Sequence, residues 1–187
     1  MIRSRNNGFS GSGVKRKVIK RQGRDILTFA MFAPMIFHER EIKDMSMTNY
    51  FAGFLNNIEF VVIFTKYEGK WVYCWHKKRE SYEHPAGHVE RDETPLHAAK
   101  RELYEETGIT DCEMIPLWDY EYIWENNQGR NNGRAYLAIA HSLGKLPENE
   151  MDRIELFDEV PENYTYNRED EINDLINVEK IWKAYKE

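Results

Sequence analysis

Gly87–Ile109, GHVERDETPLHAAKRELYEETGI, is the stretch from which the fold and the chemistry of this chain are read. Thr94-Pro95 starts a helix, because Thr can cap free N–H groups and Pro fits the first turn. Gly108 is a natural stop, since a left-handed residue commonly ends a helix. The expected helix runs from Pro95 to about Thr107, with Leu96, Ala99 and Leu103 as its buried stripe. Beside that stripe, Glu102, Glu105 and Glu106 fall at i, i+3 and i+4 and share one face. Like charges so placed cost a few tenths of a kcal/mol per pair. A hard cation turns that cost into binding, and magnesium takes carboxylates together with phosphate oxygens and water. Taken alone, the three acids read more readily as a solvated acidic face with nothing bound.

The whole segment removes that ambiguity. It fits the pattern G-x5-E-x7-R-E-U-x-E-E-x-G-U, where U is a bulky aliphatic residue, at all nine fixed positions in 23 residues. These are Gly87, Glu93, Arg101, Glu102, Leu103, Glu105, Glu106, Gly108 and Ile109. The segment therefore resembles the signature of the Nudix hydrolase family. The approach Glu83-His84-Pro85-Ala86-Gly87 is similar to the family's Pro-Gly-Gly turn, with Ala86 in place of one Gly. Residues 154–161, IELFDEVP, resemble the strand that precedes the family's last helix, so the likeness covers roughly residues 57–186.

The resemblance implies an α+β fold, the Nudix α/β/α sandwich, with a mixed central sheet, the motif loop-helix and a C-terminal helix. It implies hydrolysis of a phosphoanhydride bond in a nucleoside diphosphate linked to another group. Magnesium is the implied cofactor, with manganese as a substitute. The implied metal ligands are Glu102, Glu105, Glu106 and the Gly87 carbonyl, and the implied catalytic set is Glu102, Glu105, Arg101 and Glu93. Arg101 is expected to pair with Glu93 and pin the loop to the helix. The general base is Glu102 or a carboxylate from a later segment, with Glu121, Glu125 and Glu155 as candidates.

Outward from the motif, residues 58–65 (IEFVVIFT) and 71–76 (WVYCWH) predict a hairpin around the turn 67–70. Residues 77–92 read as a loop. Strands are expected over 114–124, 134–141 and 154–157, with 125–133 a polar loop. Ile172, Leu175, Ile176, Val178, Ile181, Trp182 and Tyr185 predict a closing amphipathic helix from Arg168 onward. Strands, one helix, more strands and a last helix make a mixed sheet with helices packed on it, not a doubly wound one.

Net charge is −6 over 187 residues, which gives no reason to expect a duplex nucleic-acid binder. Residues 1–45 carry ten Lys/Arg against four Asp/Glu, and the rest carries 16 against 28. A basic N-terminal extension, 1–45, is thus expected before a domain at 46–187, and Met45 or Met47 is read as the native start. Two cysteines, Cys74 and Cys112, are too few for a disulfide framework, and Cys74 reads as packing. A reducing, cytoplasmic location is expected. No apolar run approaches the ~18 residues of a membrane span.

Lys78 and Arg79, within Lys77-Lys78-Arg79, are candidate phosphate contacts or simply a solvated turn. Tyr122, with Trp118, Tyr120 and Trp124, is a candidate base-stacking residue or half-buried core. His84, His88 and His97 fit no metal-binding spacing. The family's ADP-ribose, dinucleoside-polyphosphate, coenzyme A and NADH marks are missing at the positions where they are expected. What remains is most similar to the MutT-like, 8-oxo-dGTP-cleaving members: nucleoside triphosphate to monophosphate plus pyrophosphate. A non-catalytic nucleotide-sensing or RNA-binding module is the alternative. The expected partner is a small nucleotide, with no membrane and an open oligomeric state.

Overall fold

The computed structural model describes residues 39–42, 45–124 and 129–187. The chain before residue 39 and the base candidate Glu125 lie outside the described residues. The strands in chain order are β1 (Glu39–Ile42), β2 (Met45–Phe51), β3 (Phe60–Tyr67), β4 (Lys70–His76), β5 (Ser81–Glu83) and β6 (Ala86–His88). After helix α1 (Pro95–Thr107) come β7 (Cys112–Trp124), β8 (Arg130–Ala140) and β9 (Met151–Phe157), and then helix α2 (Arg168–Lys186). The strands make one sheet, ordered β1-β2-β7-β8-β3-β4-β5, with β6 added on β3 and β9 on β4. β3 and β8 run parallel and the other ladders are antiparallel, so the sheet is mixed.

Strand alternation sorts the core into two layers. On β3, Phe64 points to one apolar cluster and Val61 and Ile63 to the other. On β4 the same division separates Trp71 and Tyr73 from Val72, and on β8 it separates Ala135 and Leu137 from Tyr136 and Ala138. Leu175 and Val178 of α2 join the first cluster, and Ala98, Ala99 and Leu103 of α1 join the second. Each helix therefore covers one face of the sheet, which is the expected α/β/α sandwich. Cys74 is fully buried, and both cysteines are free.

Both ends of α1 follow the sequence reading. The Thr94 side chain accepts from the His97 N–H at 3.2 Å, and Gly108 ends the helix at φ 75°. Four expectations need correction. Residues 77–92 are not all loop, because β4 and β3 supply partners for β5 and β6 within them. Leu96 is 38% exposed: it lies in the first turn, and the buried contacts of α1 begin only at Ala98. Ile172, Ile176 and Tyr185 are exposed, because α2 seats only a narrow stripe through Glu171, Leu175 and Val178. Residues 130–133 are strand, not loop, since Asn131 and Asn132 pair with Tyr122 and Glu121 on β7. The sheet also takes in β1 and β2, whose register reaches from Glu39↔Thr48 to Phe51↔Trp118. No helix among the described residues is long and apolar enough to cross a membrane.

Candidate active site

The short strand β6 brings the motif loop against α1. Val61 pairs with Gly87 and Val62 with Ala86, so the loop is part of the sheet where it meets the helix. The Pro85 carbonyl accepts from the Ile63 N–H at 2.8 Å, and the Ala86 N–H donates to Glu106 Oε2 at 3.2 Å. At Gly87 a Cβ would land on the Glu102 carboxylate. Only glycine allows that carboxylate to lie against the loop backbone.

Arg101 is the hub of the acidic cluster. Its Nε and Nη2 bridge Glu93 Oε1 and Oε2 at 3.1 and 3.0 Å. Its Nη1 donates to Glu102 Oε1 at 2.7 Å and Glu105 Oε2 at 3.1 Å, and Nη2 also donates to the His88 carbonyl at 2.9 Å. The Arg101 bonds hold the Glu93 carboxyl below its ordinary range, and Glu93 in turn raises the Arg101 guanidinium. The expected pinning of loop to helix is thus visible atom by atom.

The carboxylates differ in environment. Burial raises Glu102, against the lowering effect of Arg101. Burial pushes Glu106 up to about 8, offset by the Ala86 N–H and reinforced by the charges of Glu102, Glu83 and Glu150. A buried acid surrounded by acids is short of positive charge, and a divalent cation is what such a donor set accepts. Glu102 lies directly against the Gly87 backbone, and an oxygen-rich donor set of this kind suits a hard divalent cation. Among the described residues no three acids, histidines or cysteines already converge on one point. Arg101 Nη1 instead bridges Glu102 and Glu105.

The other candidates are placed less centrally. Arg79 Nη2 binds the buried Glu83 at 2.6 Å, and the charges of both Glu83 and Glu106 act on it, so it borders the acidic cluster. Lys78 is exposed in the turn, its N–H donating to His76 Nδ1 at 3.2 Å. Tyr122 packs edge-on to Tyr120 at 5.2 Å, in the cluster on the α2 face of the sheet, whereas the motif glutamates are carried by α1. Trp118 and Tyr120 are buried core. Glu121 is paired with Arg130 at 3.2 Å and Glu155 with Arg153 at 2.5 Å, and the latter bond holds Glu155 below its usual range.

Sequence reasoning missed two groups. Glu83 is a buried acid that acts electrostatically on Glu106. His84 binds Glu171 of α2 at 2.5 Å from 87 residues away, a distance no local pattern can signal.

Comparison with known proteins follows this geometry. The family model described as NUDIX domain matches residues 56–179. An RNA pyrophosphohydrolase of Bartonella henselae is 41% identical over 73 residues, spanning 34% of this chain and 42% of that protein. A Bacillus subtilis protein named as a candidate 8-oxo-dGTP diphosphatase is 32% identical over 116 residues, 62% of this chain and 72% of its own. Among solved structures, a Bacillus subtilis pyrophosphohydrolase superposes with a TM-score of 0.67 at 25% identity, over 79% of this chain and 98% of that one.

Proposed function

The chain belongs to the Nudix family, and on that premise we propose that it is a magnesium-dependent pyrophosphohydrolase. Its substrate is a nucleoside triphosphate, oxidised forms included, cleaved to the monophosphate and pyrophosphate. The observation that carries this reading is the contact between the bare Gly87 backbone and Glu102, in a cluster where Glu106 is raised to about 8. That arrangement is costly for a free protein and suited to a cation. The names of the two curated relatives and of the superposed structure support the same bond type.

Glu102, Glu105, Glu106 and the Gly87 carbonyl would hold the ion. Magnesium, when bound, neutralises diphosphate charge and lowers the pKa of a bound water. The chain's own residues do the rest. Arg101 holds Glu102 and Glu105 beside Glu93, which limits how far either carboxylate must move to meet the ion. Glu102, raised by burial, accepts the proton of the attacking water. Arg79 lies where it can steady a phosphate once Glu83 shares it.

A second reading differs only in what carries the triphosphate. The 41% identity to an RNA pyrophosphohydrolase favours the 5′-triphosphate end of an RNA. A release assay with magnesium tests both, using nucleoside triphosphates, oxidised deoxynucleotides, 5′-triphosphorylated RNA and ADP-ribose beside Glu105→Gln. Turnover of a triphosphate that the variant lacks supports the proposal, and the preferred member separates the two readings. Faster turnover of ADP-ribose refutes the substrate class. A folded, metal-binding chain that cleaves none of them is a sensing module instead.

A further inference from the structure

We propose that Glu171 and His84 form a positioning pair that sets the motif loop, so that cation binding on α1 depends on a carboxylate on α2. The proposal rests on the reading that the motif glutamates bind a divalent ion. Glu171 sits in the first turn of α2 and is only 5% exposed. Its carboxylate accepts from three elements: Tyr73 OH at 3.0 Å on β4, His84 Nε2 at 2.5 Å after β5, and Tyr164 OH at 2.8 Å in the loop before α2.

Burial alone would raise this carboxyl, but the charge of His84 and the bonds from His84, Tyr164 and Tyr73 bring it below its usual range. The His84 ring is stacked on Tyr73 at 4.4 Å and packs against Phe64 at 4.7 Å. Its Nδ1 is buried and without a hydrogen-bond partner.

A buried pair with an orphaned nitrogen is a poor device for stability alone, since a pair of well-packed apolar side chains in place of both partners would cost less. Its use lies in where it is attached. The next residue, Pro85, has a fixed φ and a carbonyl tied to Ile63. The residue after that donates the N–H that holds Glu106. Two peptide units thus join the ring gripped by α2 to the backbone that places a cation ligand. An outer contact that orients a ligand commonly changes metal affinity by about 10–100-fold.

The experiment measures Mn2+ binding to the full chain by the electron paramagnetic resonance of free Mn2+, with no substrate present. In His84→Phe and Glu171→Gln the affinity is expected to fall about tenfold. Tyr164→Phe removes a donor from the same carboxylate without touching the loop, and its affinity is expected to stay within about twofold of wild type. Wild-type affinity in folded His84→Phe and Glu171→Gln overturns the proposal, as does an equal loss in Tyr164→Phe.

Should those two variants fail to fold, the wild-type chain still gives an answer. Coupling is reciprocal, so titration with Mg2+ must shift the nitrogen resonances of the His84 ring. A ring that stays unchanged through saturation overturns the pair. Normal Mn2+ coupling without hydrolysis of any substrate leaves the pair standing and sinks the proposed reaction. A wild-type chain that binds no Mn2+ sinks both.

Discussion

Arg101 closes a two-point bridge onto Glu93, Nε to Oε1 at 3.1 Å and Nη2 to Oε2 at 3.0 Å, and with the same guanidinium holds Glu102 and Glu105. One side chain therefore ties the loop after β6 to the acidic face of α1. Planar, bidentate geometry is specific to arginine. In Arg101→Lys a single ammonium cannot reach all four acceptors, the His88 carbonyl included. Activity is expected to fall about 100-fold, as misplacement by about 1 Å can cause. Stability should fall by only about 1 kcal/mol, because the pair is partly solvated. Steady-state rates beside thermal melts check this, and a lysine variant with near wild-type kcat/KM would refute it.

Gly87→Ala tests the contact between loop and carboxylate. The added methyl meets Glu102 and must push it aside. Mn2+ affinity and rate should both drop, again by about two decades for the rate, while the melting temperature stays close to wild type. A fully active alanine variant would show that Glu102 need not lie against the backbone.

The motif helix and the flanking strands were legible because their signals are local. Thr94, Pro95 and Gly108 mark the helix ends by backbone chemistry, and Val61, Ile63 and Phe64 alternate as a two-faced strand must. β5 and β6 have three residues each and exist only because β4 and β3 supply their partners. β2 carries Ser46, Thr48 and Asn49, which look like coil until β7 pairs with them. Leu96 was misplaced because periodicity marks a face and does not say where along the helix the sheet begins. The motif glutamates and their arginine could be listed from spacing. The Glu171–His84 pair could not, because its partners meet only through the packing of α2.

Glu106 gives a pH prediction for the metal-free chain. Its folded pKa is raised to about 8, above the ordinary value of 4.5. In that window the folded state binds more protons than the unfolded one, so this group's contribution to stability declines as pH rises from about 4.5 to about 8. Glu106→Gln removes the penalty and should melt higher than wild type at pH 8 without metal, by a few degrees. The same raised value predicts that metal uptake near pH 7 releases protons, since a ligating carboxyl must be ionised. Calorimetry of Mn2+ binding in buffers of different ionisation enthalpy checks the release. Binding with no proton released below pH 8 would contradict the raised value.

The proton acceptor can be identified by comparing three carboxylates. Glu102 is raised by burial and faces the Gly87 backbone. Glu155 is held below its usual range by Arg153, which weakens it as a base, and Glu121 is ion-paired with Arg130. Arg101 also touches Glu102, but burial outweighs it there. Glu102→Gln is therefore expected to lower kcat by about 10²–10⁴-fold at neutral pH. Glu121→Gln and Glu155→Gln should each stay within about tenfold, since removing an ion pair at those positions alters only the local charge. Hydroxide substitutes for a missing base as pH rises, so the part of the Glu102→Gln deficit due to the lost base should shrink in alkaline buffer, while the part due to its lost metal contact stays constant. Glu125→Gln belongs in the same series. A larger loss at any of the three later glutamates than at Glu102, with the alkaline recovery on that variant, would move the base off the helix.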